Sequence, residues 1–252
     1  MTRASLLVAF VLPLLASAAP AEEPTIDEIV SRYVTARGGA ERWAEIETLR
    51  MRGSYSSFSF RHDFSLIRRR GDLYRLDFTL LDAPAVRARD SDGVWALHKL
   101  LNPQPAHITE GPYPPQMERE SLFEPLLFDH AAKGVEVESA GLGDVDGIAT
   151  VNLEVTLPDG RQETWMLDAE TYLEVAVDSE IFDFTQSGEA LTQRMFFDDF
   201  REVDGIVLPH QIDIEANHRL ESMTVREVEV NLEIAIESFK PPPPAPESEE
   251  SD

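Results

Sequence analysis

The chain has 252 residues and no cysteine, and its 47 acidic side chains outnumber 22 basic ones, for a formal net charge of −25. That length holds one large domain with an ample core, and the acidic balance argues against nucleic acid and against electrostatic attraction to anionic lipid surfaces. Without cysteine there are no disulfides, no thiol catalysis, no Cys-based metal site and no lipidated N-terminal cysteine.

The first 18 residues read as a signal peptide. Arg3 supplies a positive start, Leu6–Leu15 an apolar run, and Ala16-Ser17-Ala18 an A-x-A-like cleavage site. The run is too short to span a bilayer comfortably, so a cleaved signal is expected rather than an anchor. This places the protein in the periplasm, with secretion as the alternative.

Thr25-Ile26-Asp27-Glu28 has the form of a capping box, and Ile26, Ile29, Val30, Tyr33 and Val34 recur at helical spacing. Gly38-Gly39 stops that helix, and a short second helix around Ala40–Ile46 carries Trp43. The period then falls to two: Leu49, Met51, Gly53 and Tyr55 share one face of a strand, opposed by Arg50, Arg52 and Ser54. Phe58, Phe60, His62, Phe64 and Leu66 alternate next, and Tyr74, Leu76, Phe78 and Leu80 follow the Gly71-Asp72 turn.

Aspartate-glycine pairs at 92-93, 146-147, 159-160 and 204-205 each separate strand-like runs and predict hairpins. Five prolines between Asn102 and Pro115 predict an irregular loop, and Met117–Ala132 reads as a helix kinked by Pro125, with Leu122, Phe123, Leu126 and Leu127 on its apolar side. From Val135 strands resume and run to Ile234. The expected fold is mainly β (α+β): a single domain over residues 25–240 with about ten or eleven antiparallel strands, one face wet and one apolar. Residues 241–252 read as a disordered, proline-rich acidic tail.

No motif carries catalysis. The six histidines lack metal-ligand spacing, and His62 and His210 read as core or cavity-rim residues. Asp144-Val145-Asp146-Gly147 lacks the third ligand and closing glutamate of a calcium loop. Asp198 and Asp199, adjacent in a strand, point to opposite faces. There is no nucleophile elbow and no phosphate loop. The residues therefore predict no cofactor, no metal and no enzyme.

The order of signals resembles the LolA-like family of outer-membrane lipoprotein-sorting and lipoprotein-carrier proteins. The matching pieces are Ile29–Tyr33, Gly38-Gly39, Leu49–Ser54, Asp92-Gly93-Val94-Trp95, the Gly141–Gly147 turn region, Trp165–Asp168 with Tyr172-Leu173, Phe200–Pro209, Val230–Leu232 and Phe239-Lys240-Pro241. The resemblance implies a strongly curved antiparallel half-barrel whose concave face is closed by helices and holds lipid or lipoprotein acyl chains. On it, the cavity lining is expected from Leu49, Met51, Phe58, Phe60, Phe64, Leu66, Leu76, Phe78, Trp95, Trp165 and Phe196. The lid is expected from Ile26, Ile29, Val30, Tyr33, Leu122, Phe123 and Leu126.

Burial of acyl chains at about 0.8 kcal/mol per methylene needs no directional chemistry. The implied function is a non-enzymatic periplasmic carrier for lipid or lipoprotein acyl chains, with membrane-bound donor or acceptor proteins as partners. An envelope sensor or protein-interaction module on the same half-barrel is the alternative, and a lipid or peptidoglycan hydrolase ranks behind both.

Overall fold

The computed structural model describes residues 24–57, 60–80, 82–99, 102–182, 190–216 and 218–243. The expected signal peptide, Phe58 and residues 244–252 of the expected tail lie outside the described residues. Helix α1 (Ile26–Ala36) starts at Thr25, whose hydroxyl accepts from the Glu28 amide while Glu28 Oε2 accepts from the Thr25 amide at 2.9 Å. This is the capping box the sequence predicts. Gly38 and Gly39 carry φ of 102° and 83°, which ends α1 and opens α2 (Ala40–Ala44).

The strands are β1 (Thr48–Ser57), β2 (Phe60–Arg69), β3 (Leu73–Leu80), β4 (Ala83–Asp90), β5 (Gly93–His98), β6 (Asn102–His107), β7 (Glu136–Val145), β8 (Ile148–Thr156), β9 (Gln162–Asp168), β10 (Glu174–Phe182), β11 (Ala190–Val203), β12 (Ile206–Ala216) and β13 (Arg219–Val230). They form one 13-stranded sheet in the order β6-β5-β4-β3-β2-β1-β13-β12-β11-β10-β9-β8-β7, and every described pairing is antiparallel. Two meanders, β1 to β6 and β7 to β13, are thus joined where the first strand pairs with the last. The sheet is not closed, since β6 and β7 are its free edges.

Thirteen strands exceed the ten or eleven expected. One extra strand is β6, which falls inside the stretch predicted to be an irregular loop. Prolines 103 and 105 are tolerated there because β6 is an edge strand, where one side of the backbone needs no partner. The predicted helix at 117–132 is also displaced. Helix α3 covers Tyr113–Ser121 with prolines in its first turn, and Leu122 ends it in an extended conformation. Turns follow through Gly134, since Pro125 disfavours helix in the residue before it.

Two predicted turns take the type I′ conformation, with positive φ at both central residues: Asp146 (51°) with Gly147 (89°), and Asp204 (50°) with Gly205 (81°). At the junction of the meanders, a Cβ added to Gly53 would lie 1.9 Å from the Thr224 carbonyl oxygen and 2.8 Å from the Phe64 ring. The β1–β13 register shifts between Arg52 and Gly53, so glycine is required where the backbone of β13 leaves no room for a Cβ.

Helix α3 touches β4 and β5 and also β10. In the sheet order β4 and β10 are seven places apart, about 34 Å across a flat sheet, whereas a nine-residue helix is about 13 Å long. Both contacts require a sheet that curls around the helix, consistent with a curved half-barrel. The face against which Tyr113 and Met117 of α3 pack is called inner below.

The main core joins Ile29, Tyr33, Trp43 and Ile46 to Phe123, Leu126, Leu127 and Phe128, and to strand residues including Leu49, Leu153, Trp165, Leu167, Val177 and Leu208. A second cluster holds Phe64, Tyr74, Leu76, Val94, Tyr113, Met117 and Val225. On the outer face, the 3-10 turn Ile236–Phe239 lies against β3 and β4. There the Trp95 indole N–H donates to the Phe239 carbonyl at 2.8 Å, and Arg69 and Arg75 donate to the Ile234 and Ser238 carbonyls.

Candidate functional site

Directly opposed residues of neighbouring strands share a face. By register, Phe197, Ile212, Met223, Tyr55 and His62 therefore form one row across β11, β12, β13, β1 and β2. All five are only half-buried. A parallel row runs through Val177, Met195, Ile214, Glu221, Ser57 and Phe60. These rows lie on the inner face, because Tyr55, Met223 and Phe78 pack against the α3 cluster and Met195 and Phe197 against the main core. Tyr55 meets the Phe78 ring edge-on at 6.1 Å. The result is a strip of large apolar side chains, continuous with two packed clusters, that keeps part of its surface unburied.

Nearer α3 the inner face turns cationic. Arg68 on β2 and Arg87 and Arg89 on β4 all approach the end of that helix. Arg68 donates to the Glu120 carbonyl at 2.7 Å and the Leu122 carbonyl at 3.3 Å, which neutralises the exposed carbonyls of a helix C-terminus. Arg89 donates to Ser121 Oγ at 3.2 Å, and Arg87 lies 3.4 Å from Glu120 Oε2. On the other side of α3, Arg119 holds Glu163 of β9 through two hydrogen bonds of 3.0 and 2.9 Å, and Gln116 accepts from the Phe182 amide at the end of β10. Helix α3 is thus tied to both arms of the sheet.

Burial pushes the Arg68 guanidinium below its ordinary value, and nearby Arg119 and Arg37 act in the same direction. Burial acts against Arg87 too, yet the Glu120 carboxylate and the phenols of Tyr113, Tyr74 and Tyr55 hold it above the ordinary value. A second buried polar group lies under α1, where Glu174 Oε1 accepts from the Tyr33 hydroxyl at 2.7 Å and from Arg37 at 2.5 Å. Burial and the Glu174 charge push the Tyr33 phenol well up. An inner side that is apolar throughout, as expected from the sequence, is therefore corrected: it is apolar along most of the strip, which Glu221, bonded to Ser57, interrupts, and it carries paired charges beneath α3.

Among the expected lining residues, Leu49 and Trp165 are in the main core, with Met51 packed against it and against the second cluster. Phe64 and Leu76, with Leu66 and Phe78, belong to the second cluster. Phe60 is 52% exposed and stacks on His62. Two residues fall elsewhere. Trp95 packs with Val86, Ala88 and Leu97 on the outer face, and Phe196 packs with Val145, Met166 and Ala176, one residue out of step with Met195 and Phe197. Of the expected lid residues, Ile29, Tyr33, Phe123 and Leu126 are buried in the main core, Ile26 and Leu122 pack against it, and Val30 is half-buried.

Reading the sequence alone missed Ile212, Met223 and Phe197, although the alternation through Ile212 and Ile214 was there to find them. It also missed the inward arginines, since a period of two does not say which face is inner. His210 is buried with a ring nitrogen 3.0 Å from the Leu208 carbonyl, and His62 lies 3.7 Å from Asp82. Asp144 accepts from the Gly147 amide as a turn residue, while Asp199, at φ 52°, pairs with Arg201. Among the described residues, no three His, Asp or Glu side chains come together as a metal site. A surface cavity of about 580 Å³ is lined by Asp178, Arg194, Glu215, His218 and Leu220 among others. It is wide open and carries charged residues on its wall, and Asp178 and Arg194 are one residue out of step with Val177 and Met195, so it does not coincide with the inner strip.

No family model matches the chain, and no curated protein matches its sequence. Solved structures do match the fold. A DUF1329 family protein from Desulfovibrio piger superposes with a TM-score of 0.56 at 12% identity, covering 85% of this chain and 97% of its own. A LolA superfamily protein from Nitrosomonas europaea gives 0.56 at 9% identity, covering 82% and 96%. A domain assigned as an outer membrane lipoprotein-sorting protein from Vibrio parahaemolyticus gives 0.52 at 14% identity, covering 84% and 94%.

Proposed function

On the premise that this chain has the LolA-like fold, we propose that it is a non-enzymatic envelope protein that shields lipid or lipoprotein acyl chains on the inner face of its half-barrel. The observation that carries this reading is the row Phe197–Ile212–Met223–Tyr55, four large apolar residues aligned on one face and left half-buried. Covering such a strip with acyl methylenes releases about 0.8 kcal/mol each, so a chain of a dozen or so methylenes supplies on the order of 10 kcal/mol. No converging catalytic group is required.

Helices α1, α2 and α3 serve as the cover. Helix α3 is held by exchangeable polar contacts, namely Arg68 to two carbonyls, Arg119 to Glu163 and Gln116 to the Phe182 amide, and by Tyr113 and Met117 packed in the second cluster, so loading requires breaking hydrogen bonds and freeing those two side chains. The net charge of −25 keeps a periplasmic carrier soluble and repels it from anionic membrane once it has loaded.

The test is lipid extraction and native mass spectrometry on the full chain expressed with its own N-terminus and purified from the envelope without detergent. Bound acyl species are expected in stoichiometric amount. Protein that is reproducibly empty, and that takes up no fluorescent acyl probe after delipidation, overturns the reading.

A further inference from the structure

The cationic end of the inner strip points to the chemical class of the ligand. We propose that Arg87, flanked by Arg68 and Arg89, receives an oxyanion headgroup, so that the ligand is an acidic amphiphile, a carboxylate or phosphate on an acyl chain, rather than a neutral glyceride. This rests on the acyl-binding reading above and specifies the head that accompanies the chain.

Arg87 follows Met51, Leu66 and Leu76 in one cross-strand row, which continues to Ala96 and Ala106, so the apolar floor leads directly to its guanidinium. The helix-end contacts account for its neighbours: Arg68 is spent on two carbonyls and Arg89 on the Ser121 hydroxyl and on Asp72 at 3.6 Å. Arg87 is held differently. Among the described residues its one carboxylate partner is Glu120, at a single contact of 3.4 Å, longer than the paired contacts of Arg119 with Glu163, and its other partners are the neutral phenols of Tyr74 and Tyr113. Its Nε, like that of Arg68, has no partner among the described residues, and its side chain keeps 25% of its surface, as Glu120 keeps 29%.

The three guanidiniums face two carboxylates, Glu120 and Asp72, which leaves one positive charge in excess inside a chain whose overall charge is −25. A planar guanidinium matches the two oxygens of a carboxylate or phosphate, and such charge-assisted pairs are stronger than neutral hydrogen bonds. Glu120 then occupies the headgroup position in the ligand-free chain and is displaced when a better-placed oxyanion enters. Hydrocarbon extends from Arg87 along Leu76, Leu66 and Met51.

The experiment compares three ligands with the same oleoyl chain, namely oleate, 1-oleoyl-lysophosphatidate and mono-oleoylglycerol, each below its micellar concentration, on the delipidated full chain. Affinities are read by displacement of a fluorescent acyl probe. The anions are expected to bind about tenfold tighter than the glyceride, the size of one charge-assisted contact. Arg87→Gln is expected to bring them down to the glyceride's level, and Glu120→Gln to tighten them further. Oleate against lysophosphatidate tells whether a carboxylate or a phosphate is the better head.

Equal binding of all three, or an anion preference that survives Arg87→Gln in protein with native circular dichroism, overturns the headgroup assignment and leaves acyl binding standing. Should Arg87→Gln fail to fold, Glu120→Gln decides alone, and unchanged anion affinity in that variant overturns the assignment. Failure of all three ligands to displace the probe rejects the acyl-binding reading together with this one.

Discussion

Arg119 of α3 and Glu163 of β9 face each other through two parallel hydrogen bonds, and Glu163 accepts in addition from the Trp165 indole at 2.8 Å. The carboxylate is almost fully enclosed, with 7% of its side chain exposed, so its charge depends on Arg119 for compensation. This pair fastens a short helix to one arm of the sheet while Arg68 and Arg89 fasten its end to the other.

Substituting Arg119→Met strands a buried carboxylate and is expected to cost about 3 kcal/mol in urea unfolding. The double variant Arg119→Met, Glu163→Met removes both charges and is expected to be more stable than the single one. A double variant no more stable than Arg119→Met shows that the pair does not compensate a buried charge.

Gly53→Ala places a Cβ against the Thr224 carbonyl, a backbone atom that cannot rotate away. Because this is the junction of the two meanders, relief requires parting β1 from β13. A destabilisation of at least about 3 kcal/mol is expected in chemical denaturation. A change below about 1 kcal/mol would mean that the register there adjusts freely.

Met223→Ser and Ile212→Ser act on half-buried positions of the strip. They are expected to lower stability by about 1 kcal/mol or less each, while sharply reducing the acyl species that copurify. Loss of stability without loss of bound lipid would assign these residues to the core instead.

Four of the five tyrosines respond to alkali in the same direction. Burial pushes the phenols of Tyr33, Tyr55, Tyr74 and Tyr113 up, reinforced by Glu174 at Tyr33 and by Glu221 at Tyr55. A raised folded value means that the stability these groups contribute is complete below their unfolded value near pH 10 and is lost as the pH rises above it. Tyrosinate absorbance is therefore expected to appear together with loss of the sheet's circular dichroism. Ionisation of these phenols at pH 10 in a still-folded chain would contradict their burial.

Phe239 is fully buried, and its carbonyl accepts from Trp95. Phe239→Ala is expected to cost about 3 kcal/mol and to shift tryptophan emission to longer wavelength as Trp95 gains water. An unchanged emission maximum would show that the C-terminal turn does not shield that indole.

The sequence made the boundaries legible because they rest on local chemistry. The Thr25–Glu28 box, the glycines at 38 and 39, and the Asp-Gly pairs at 146 and 204 act within a few residues, and each appears where its pattern requires. Choice of face was not legible, because it is decided by distant packing. In β4 the apolar residues Val86 and Ala88 turn outward to Trp95, and Arg87 and Arg89 turn inward, the reverse of what hydropathy alone would assign. Trp95 left the expected lining for that reason. Phe196 did so because β11 is aromatic on both faces, with Phe196 and Phe197 adjacent. Strand β6 was hidden by its prolines, which rule out an interior strand but not an edge.

The pairing of the first strand with the last has a kinetic consequence. Arg50 and Glu229, joined across β1 and β13, are 179 residues apart in the chain. A chain delivered N-terminus first can build the six-strand meander early, but that piece then waits with its β1 edge bare until the final strand arrives. Long-range closure of this kind is slow and leaves a template for mispairing while it is pending. Refolding from denaturant should accordingly be limited by closure of the β1–β13 seam, and the yield should fall as protein concentration rises.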